Sequence, residues 1–258
     1  MDPRLRVASA LEAAGCVAPA EEADELLRAA AEGAGDLDDL LARRLRGEPL
    51  AWVTGSTEFC GIRIRIDPGV YVPRPHTEAL ARRAASLLPA TGVAIDLCTG
   101  SGAVAVVMRE GRPEATIVAT DLDPAAVACA AANGVAALQG DLDEPLPPSL
   151  AGRVDVLTAV VPDVPTESLH LLPRDVQAYE PRSTLDGGPG GTALLERVVR
   201  LSPRWLRPGG RLVLELGDDQ AASLAPTMAA AGLRPVDVLR DAEGDDRGIE
   251  AVHQPVQP

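Results

Sequence analysis

The chain has 258 residues, of which 46% are hydrophobic, so it can bury the core of one large domain and of a smaller one. Its formal net charge is −14, from 24 basic and 38 acidic residues, which argues against non-specific binding to nucleic acid or to an anionic membrane. No apolar run approaches the ~18 residues of a membrane helix, and the four cysteines show no C-x-x-C spacing, so we expect a cytoplasmic protein with free thiols and no metal site.

The first part of the chain, residues 1–50, has the apolar spacing of helices. In residues 4–46 apolar side chains recur three or four positions apart, and Asp36 can cap a helix over residues 37–46. Catalytic clusters are not evident here. We predict a small helical domain that serves for substrate docking or packing.

Near Trp52 the periodicity changes to that of strands. Isoleucine and arginine alternate over residues 62–66, Asp67-Pro68-Gly69 supplies a turn, and residues 70–72 can form a return strand. We therefore predict a β-hairpin in a linker that covers residues 51–75.

The third predicted domain, residues 76–258, alternates helices and strands. Predicted helices cover residues 77–88, 103–108, 124–133, 192–201 and 221–231. Predicted strands cover residues 93–97, 116–120, 154–160, 212–216 and 236–239, with 248–252 pairing with the last. This alternation predicts an α/β fold with a doubly wound, mostly parallel sheet.

A glycine turn, Asp96-Leu97-Cys98-Thr99-Gly100-Ser101-Gly102, connects the first of these strands to its helix. Glycine has no Cβ, so such a turn lets backbone N–H groups approach a ligand. Asp121 ends the next strand, close to the ~20-residue separation expected for an acid that binds a ribose. The pattern predicts a nucleoside site at the carboxyl ends of parallel strands.

Two kinds of ligand are compatible with this site, a dinucleotide and S-adenosylmethionine. Asp96 would repel a pyrophosphate but attract a sulfonium and an ammonium group, which favours S-adenosylmethionine. Asp141, after the third strand, suits an adenine amino group. The predicted cofactor-binding residues are Asp96, Thr99, Gly100, Ser101, Gly102, Asp121, Leu122, Gly140, Asp141 and Leu142.

Motifs along nearly the whole chain resemble those of the release-factor glutamine N5-methyltransferases. They are Gly47-Glu48-Pro49-Leu50, Asp67-Pro68-Gly69-Val70-Tyr71-Val72-Pro73-Arg74-Pro75-His76-Thr77-Glu78, the glycine turn, Tyr179-Glu180-Pro181-Arg182, Leu185-Asp186-Gly187-Gly188 and Asp246-Arg247. The resemblance implies a helical N-terminal domain, a hairpin and a seven-stranded Rossmann-like methyltransferase sheet that ends in an antiparallel strand.

One motif departs from the family. Where the resemblance implies Asn-Pro-Pro-Tyr, this chain has Val160-Val161-Pro162-Asp163. In the family the asparagine side chain and an adjacent backbone carbonyl accept the hydrogens of the substrate amide, and Val160 has no side-chain acceptor. We therefore expect a different acceptor, a small anionic molecule, with O-methylation of a carboxylate preferred over that of a hydroxyl.

The expected catalytic residues are Asp163, Arg74 and His76, and the expected substrate-binding residues are Val160, Val161, Pro162, Tyr179 and Arg182. The arginines or His76, which stands where the family usually has an acid, could hold an anion. Asp163 could pair with an arginine or act as the base for a hydroxyl. Two alternatives stay open: methylation of the release-factor glutamine with the missing groups replaced from elsewhere, and a non-catalytic, cofactor-binding interaction protein.

Overall fold

Four helices precede the first strand in the computed structural model, which describes residues 2–217, 220–241 and 244–254. They are α1 (Pro3–Ala13), α2 (Pro19–Ala31), α3 (Leu37–Leu45) and α4 (Leu50–Thr54). Asp2 and Asp36 cap α1 and α3, since each carboxylate accepts a backbone N–H two residues ahead at 2.9 Å. The buried faces form a core of their own from Val7, Leu11, Ala23, Leu26, Ala29, Leu40, Leu41 and Val53.

The hairpin that follows differs from the predicted one. Strands β1 (Ser56–Phe59) and β2 (Ile62–Arg65) pair antiparallel around Cys60 and Gly61, whose φ angles of 54° and 77° suit a two-residue turn. The prediction that residues 70–72 return as a strand is wrong. The Val70 carbonyl instead accepts a hydrogen bond of 2.9 Å from the Trp52 indole, which ties this segment to α4.

The remaining chain forms a seven-stranded sheet with helices around it. Its strands are β3 (Val93–Leu97), β4 (Thr116–Asp121), β5 (Ala136–Gln139), β6 (Val154–Ala159), β7 (Leu206–Glu215), β8 (Leu233–Arg240) and β9 (Asp246–His253). The helices are α5 (Thr77–Leu87), α6 (Ala103–Gly111), α7 (Pro124–Ala132), α8 (Arg174–Tyr179), α9 (Ala193–Trp205) and α10 (Gln220–Ala230). Short 3₁₀ turns cover Pro148–Leu150, Thr166–Leu171, Arg182–Thr184 and Pro189–Gly191.

The strand order is β5-β4-β3-β6-β7-β9-β8, and the first five strands in this order are parallel, whereas β9 is antiparallel to both of its neighbours. This confirms the predicted fold class. The chain winds outward from β3 to β5 and then returns to β6 on the other side of β3. Such a reversal leaves a crevice at the carboxyl ends of β3 and β6, where ligands bind in sheets of this type.

The strand β7 begins earlier than predicted. Leu206 pairs with Val154 and Arg211 with Val156, so residues 207–210 form a bulge within the strand. Pro208, Gly209 and Gly210 lie in this bulge. Within the described ranges, no helix combines the length and apolarity needed to cross a membrane.

Asn133, at the end of α7, joins the hairpin to the glycine turn. Its side-chain oxygen accepts the Arg65 N–H at 3.0 Å, and its amide nitrogen donates to the Arg65 carbonyl at 2.9 Å and to the Ser101 carbonyl at 2.8 Å. One side chain therefore holds two segments that are distant in sequence.

We expect Asn133→Ala to lower the free energy of unfolding by about 1–3 kcal/mol, because three hydrogen bonds are lost at a half-buried position. Urea denaturation measures the change. Gln139→Ala is the control, since Gln139 is exposed and makes one long hydrogen bond of 3.5 Å, and it should change the midpoint little. Equal midpoints for the two variants would contradict the proposed link.

Candidate active site

A cavity opens at the carboxyl ends of β3, β4 and β6, in the predicted crevice. Of the residues predicted from sequence, it is lined by Thr99, Gly100, Ser101, Asp121, Leu122, Asp141, Leu142, Val160, Val161, Pro162 and Asp163. The predicted residues outside its lining are Asp96, Gly102, Gly140, Arg74, His76, Tyr179 and Arg182. The structure thus brings together the turn after β3, the end of β4 and the segment after β6.

The glycine turn is held by backbone hydrogen bonds and by one carboxylate. Thr99 donates its N–H to the Thr120 carbonyl at 3.0 Å, and Gly100 donates to Oδ2 of Asp121 at 2.8 Å. Gly102 has φ = 82°, and a Cβ there would lie 3.0 Å from a methyl group of Val135. A side chain at this position is therefore disfavoured twice, by backbone strain and by contact.

Asp96 lies behind the cavity wall. Its side chain is buried, with the residue 2% exposed, and it accepts hydrogen bonds from the hydroxyls of Thr99 at 2.6 Å and Thr158 at 2.7 Å. Burial raises the pKa of Asp96 to about 6, against these two hydrogen bonds, which favour the ionised form. Asp96 thus positions Thr99, a lining residue, rather than lining the cavity itself.

The two other predicted cofactor acids do line the cavity. Asp121 accepts the N–H groups of Gly100 and Asp123 through different oxygens, at 2.8 and 2.9 Å, which fixes the carboxylate and leaves further lone pairs for a ligand. Asp141 forms an ion pair of 2.9 Å with Arg197 of α9. Gly140 supports the same region, because its N–H donates to the Asp121 carbonyl at 2.9 Å.

The segment after β6, residues 160–164, is the acceptor loop. Val164 exchanges backbone hydrogen bonds with Leu185 and Gly187, at 3.0 and 2.9 Å. A Cβ on Gly191 would lie 2.0 Å from the Asp163 carbonyl oxygen, so only glycine permits this close approach. The 185–191 segment therefore braces the acceptor loop from behind.

The arginines predicted to bind substrate are occupied elsewhere. Arg74 donates to both carboxylate oxygens of Glu180, at 2.6 and 2.7 Å, and lies over the Tyr71 ring at 4.8 Å. Arg182 pairs with Asp186 at 2.9 Å and its side chain is 68% exposed. Since neither arginine pairs with Asp163, the expected ion pair is not formed.

Tyr179, also predicted to bind substrate, instead connects two parts of the chain. Its hydroxyl donates to the Arg46 carbonyl, which follows α3, at 2.8 Å. The tyrosine thus links the N-terminal helices to α8.

Acidic side chains dominate the polar part of the cavity. Among the described lining residues none is basic, whereas Asp121, Asp123, Asp141, Asp163 and Glu215 all line it. This composition suits the cationic methionine portion of S-adenosylmethionine and would repel a pyrophosphate. The lining residues therefore fit S-adenosylmethionine and not a dinucleotide.

Glu215, at the end of β7, is a site residue that the sequence reasoning missed. It lines the cavity, is 8% exposed, and its Oε1 lies 3.4 Å from Nε2 of His76. His76 itself lies outside the lining. A lone acid at the carboxyl end of the apolar run 212–216 was the available signal, because such strand ends face the ligand crevice.

Asp163 lies near this second acid. Burial and the neighbouring charge of Glu215 raise the pKa of Asp163 to about 6, and His76 opposes the shift. Both carboxyl groups therefore belong to one acidic end of the cavity.

We expect Asp121→Ala to weaken binding of S-adenosylmethionine by about 1.5–3 kcal/mol, the range for a hydrogen bond to a charged group. Calorimetry measures the affinity, and NAD should show no binding. Asp36→Ala, which removes a helix cap far from the cavity, is the control and should leave the affinity unchanged. Tight NAD binding, or an unaltered affinity in Asp121→Ala, would contradict this assignment.

Comparison with solved structures supports the fold alone. A ribosomal protein L11 methylase from Lactobacillus delbrueckii subsp. bulgaricus aligns with a TM-score of 0.53 and 16% identity, over 74% of this chain and 85% of that one. The 16S rRNA N2 G1207 methyltransferase of T. thermophilus, solved with AdoMet and guanosine, aligns with a TM-score of 0.53 and 23% identity, over 79% of this chain and 45% of that one.

Comparison with curated proteins goes further, although no protein-family model matches the chain. The release factor glutamine methyltransferase of Geobacter sulfurreducens is 35% identical over 216 residues, which cover 81% of this chain and 75% of the relative. That of Bordetella pertussis is 39% identical over 216 residues, 81% of this chain and 79% of the relative. The chain therefore belongs to the release factor glutamine methyltransferase family and is an S-adenosylmethionine-dependent methyltransferase.

Proposed function

We propose that this enzyme methylates the side-chain amide nitrogen of a glutamine in a peptide chain release factor. The observation that carries the proposal is the 35–39% identity, over 81% of the chain, to relatives that bear the name of this activity. We place the reaction in the cytoplasm, where translation is terminated.

The expectation of a small anionic acceptor, O-methylated on a carboxylate or hydroxyl, is wrong. It is overturned by the relatives, which are named for a protein glutamine. The cavity gives the physical reason, because Arg74 and Arg182 lie outside it and bind Glu180 and Asp186 instead. The charged residues that line the described cavity are all acids, and they would repel an anionic acceptor.

A protein substrate gives the N-terminal helices a role in docking. We propose that residues 1–50 form a docking domain, that 51–75 form the linker, and that 76–258 form the catalytic domain, whose last residues, 255–258, lie outside the described residues. The separate core of the helices, to which Val53 at the start of the linker also belongs, supports a helical unit of its own. The bond from the Tyr179 hydroxyl to the Arg46 carbonyl attaches these helices to the end of α8.

S-Adenosylmethionine supplies a methyl group carried on a positively charged sulfur. The protein must then overcome the weak nucleophilicity of an amide nitrogen, whose lone pair is delocalised. Val160, Val161 and Leu185 provide an apolar wall that excludes water from the reacting atoms. The acceptor loop is held in place by the 185–191 segment, so it can align the glutamine side chain with the methyl group.

Incubation of a purified release factor with the enzyme and labelled S-adenosylmethionine tests the proposal. We expect one methyl group per release factor, located by fragmentation mass spectrometry on a glutamine side chain. A release factor with that glutamine changed to alanine is the control and should stay unlabelled. Absence of transfer to the unaltered release factor, with S-adenosylmethionine bound, would contradict the proposed substrate.

The brace behind the acceptor loop gives a second prediction. We expect Gly191→Ala to reduce turnover by at least ~10-fold while the affinity for S-adenosylmethionine is retained, since a 1 Å displacement of a positioning group can cost ~10²-fold. Gly190→Ala is the matched control: its φ of 66° is also positive, but a Cβ there meets nothing within 4 Å. Equal turnover of the two variants would show that the contact with Asp163 is unimportant.

A further inference from the structure

We propose that Glu215 and Asp163 replace the missing asparagine of the acceptor site: Glu215 accepts an N–H of the substrate amide, and Asp163 accepts the other and takes the proton that is released on methylation. The inference rests on the proposed glutamine substrate and assigns the residues that recognise it.

The first observation is an unsatisfied oxygen. Glu215 is 8% exposed, and its Oε2 has no hydrogen-bond partner in the described part of the chain, whereas Oε1 lies 3.4 Å from His76. A buried carboxylate oxygen without a donor is costly, and such atoms in folded proteins almost always have a partner. Because Glu215 lines the cavity, the missing donor can come from a bound ligand.

The second observation is the position of Asp163. Its backbone carbonyl accepts a hydrogen bond of 2.8 Å from Nε2 of Gln220, while Oε1 of Gln220 accepts the Gly217 N–H at 2.8 Å. Together with Gly191 behind it, this fixes the backbone from which the side chain projects. Asp163 lines the cavity, and no described residue forms an ion pair with its carboxylate.

Two carboxylates can accept the two N–H hydrogen bonds that a primary amide donates. The amide presents two N–H groups in one plane, and an ionised carboxylate can only accept hydrogen bonds. If each N–H is held, the plane is fixed and the nitrogen lone pair points out of it, toward the methyl carbon. A carboxylate acceptor, in contrast, would be repelled by both groups.

Methyl transfer forms one bond to the amide nitrogen and breaks one bond to sulfur. The amide nitrogen forms a bond to the methyl carbon while the carbon–sulfur bond breaks, and its electron pair stays on sulfur. The nitrogen becomes positively charged and loses one proton to the Asp163 carboxylate, which gives a neutral N-methyl amide. The two carboxylates stabilise the positive charge as it develops, which a neutral asparagine side chain does less strongly.

The titration of Asp163 agrees with this role. Its pKa is raised to about 6, so the group is ionised at pH 7 and can still accept a proton. The charged groups that face it are Glu215 of β7 and His76, before α5. As the pH falls through about 6, Asp163 becomes protonated, so kcat should fall.

The test compares Asp163→Asn and Glu215→Leu with the unaltered enzyme, with a release factor as acceptor. Asp163→Asn keeps a hydrogen-bond acceptor but loses the base, so we expect kcat to fall by ~10²-fold or more, with KM little changed. Its fall in activity near pH 6 should also disappear or shrink. Glu215→Leu removes a contact to the substrate, so we expect KM to rise.

Folding and cofactor binding are controlled separately. Glu114→Gln, an exposed acid far from the cavity, should leave all parameters unchanged. Thermal melting and affinity for S-adenosylhomocysteine should be retained in Glu215→Leu, because the variant removes a buried carboxylate whose Oε2 has no donor and whose Oε1 has only the 3.4 Å contact with His76.

A binding measurement provides a readout other than activity. With S-adenosylhomocysteine present, the unaltered protein should bind the glutamine form of the release factor at least ~10-fold more tightly than a glutamine-to-glutamate form. The Asp163→Asn, Glu215→Leu double variant should lose most of this preference. Full activity and an unchanged preference in the variants would overturn the inference and leave the proposed function intact, whereas no methylation by the unaltered enzyme would overturn both.

Discussion

The hydrogen bond from the Gly100 N–H to the Asp121 carboxylate, at 2.8 Å, is the contact on which the site depends. It joins the turn after β3 to the end of β4, and the buried carboxylate of Asp96 holds Thr99 of the same turn at 2.6 Å. The turn is therefore fixed by two acids that come from neighbouring strands. With its shape set in this way, the turn forms one wall of a cavity whose other wall is the acceptor loop.

The sequence predicted the parts of the fold that depend on local patterns. The strand at residues 93–97 and the order of helices and strands followed from apolar runs separated by glycine turns, because those signals lie within a few residues of each other. The hairpin was mispredicted because Asp67-Pro68-Gly69 and Cys60-Gly61 both form turns, but only Cys60-Gly61 joins two paired strands. The Val70 carbonyl accepts its hydrogen bond from the Trp52 indole, 18 positions away, a contact that no local pattern signals.

The acceptor site depends even more on contacts between residues that are distant in sequence. The loss of the asparagine could be read from the sequence, but the partners of the arginines could not. Arg74 pairs with Glu180, which lies 106 positions away in the sequence. Because Arg74 is held there, it does not neutralise the acids that line the cavity. Glu215 was overlooked because an acid inside an apolar run has no motif of its own. Only the packing of β7 beside β6 brings it to the acceptor loop.

If the N-terminal helices dock the substrate, as proposed, the bond from the Tyr179 hydroxyl to the Arg46 carbonyl connects that docking to α8 and to the chain that leads to the acceptor-loop brace. Arg46 directly follows α3, and Tyr179 lies a few residues before the segment that braces the acceptor loop. A partner that shifts these helices on binding would therefore alter the order of the loop. Because linkage between binding events is reciprocal, a ligand that orders the loop must strengthen the hold of the helices on the partner by the same factor.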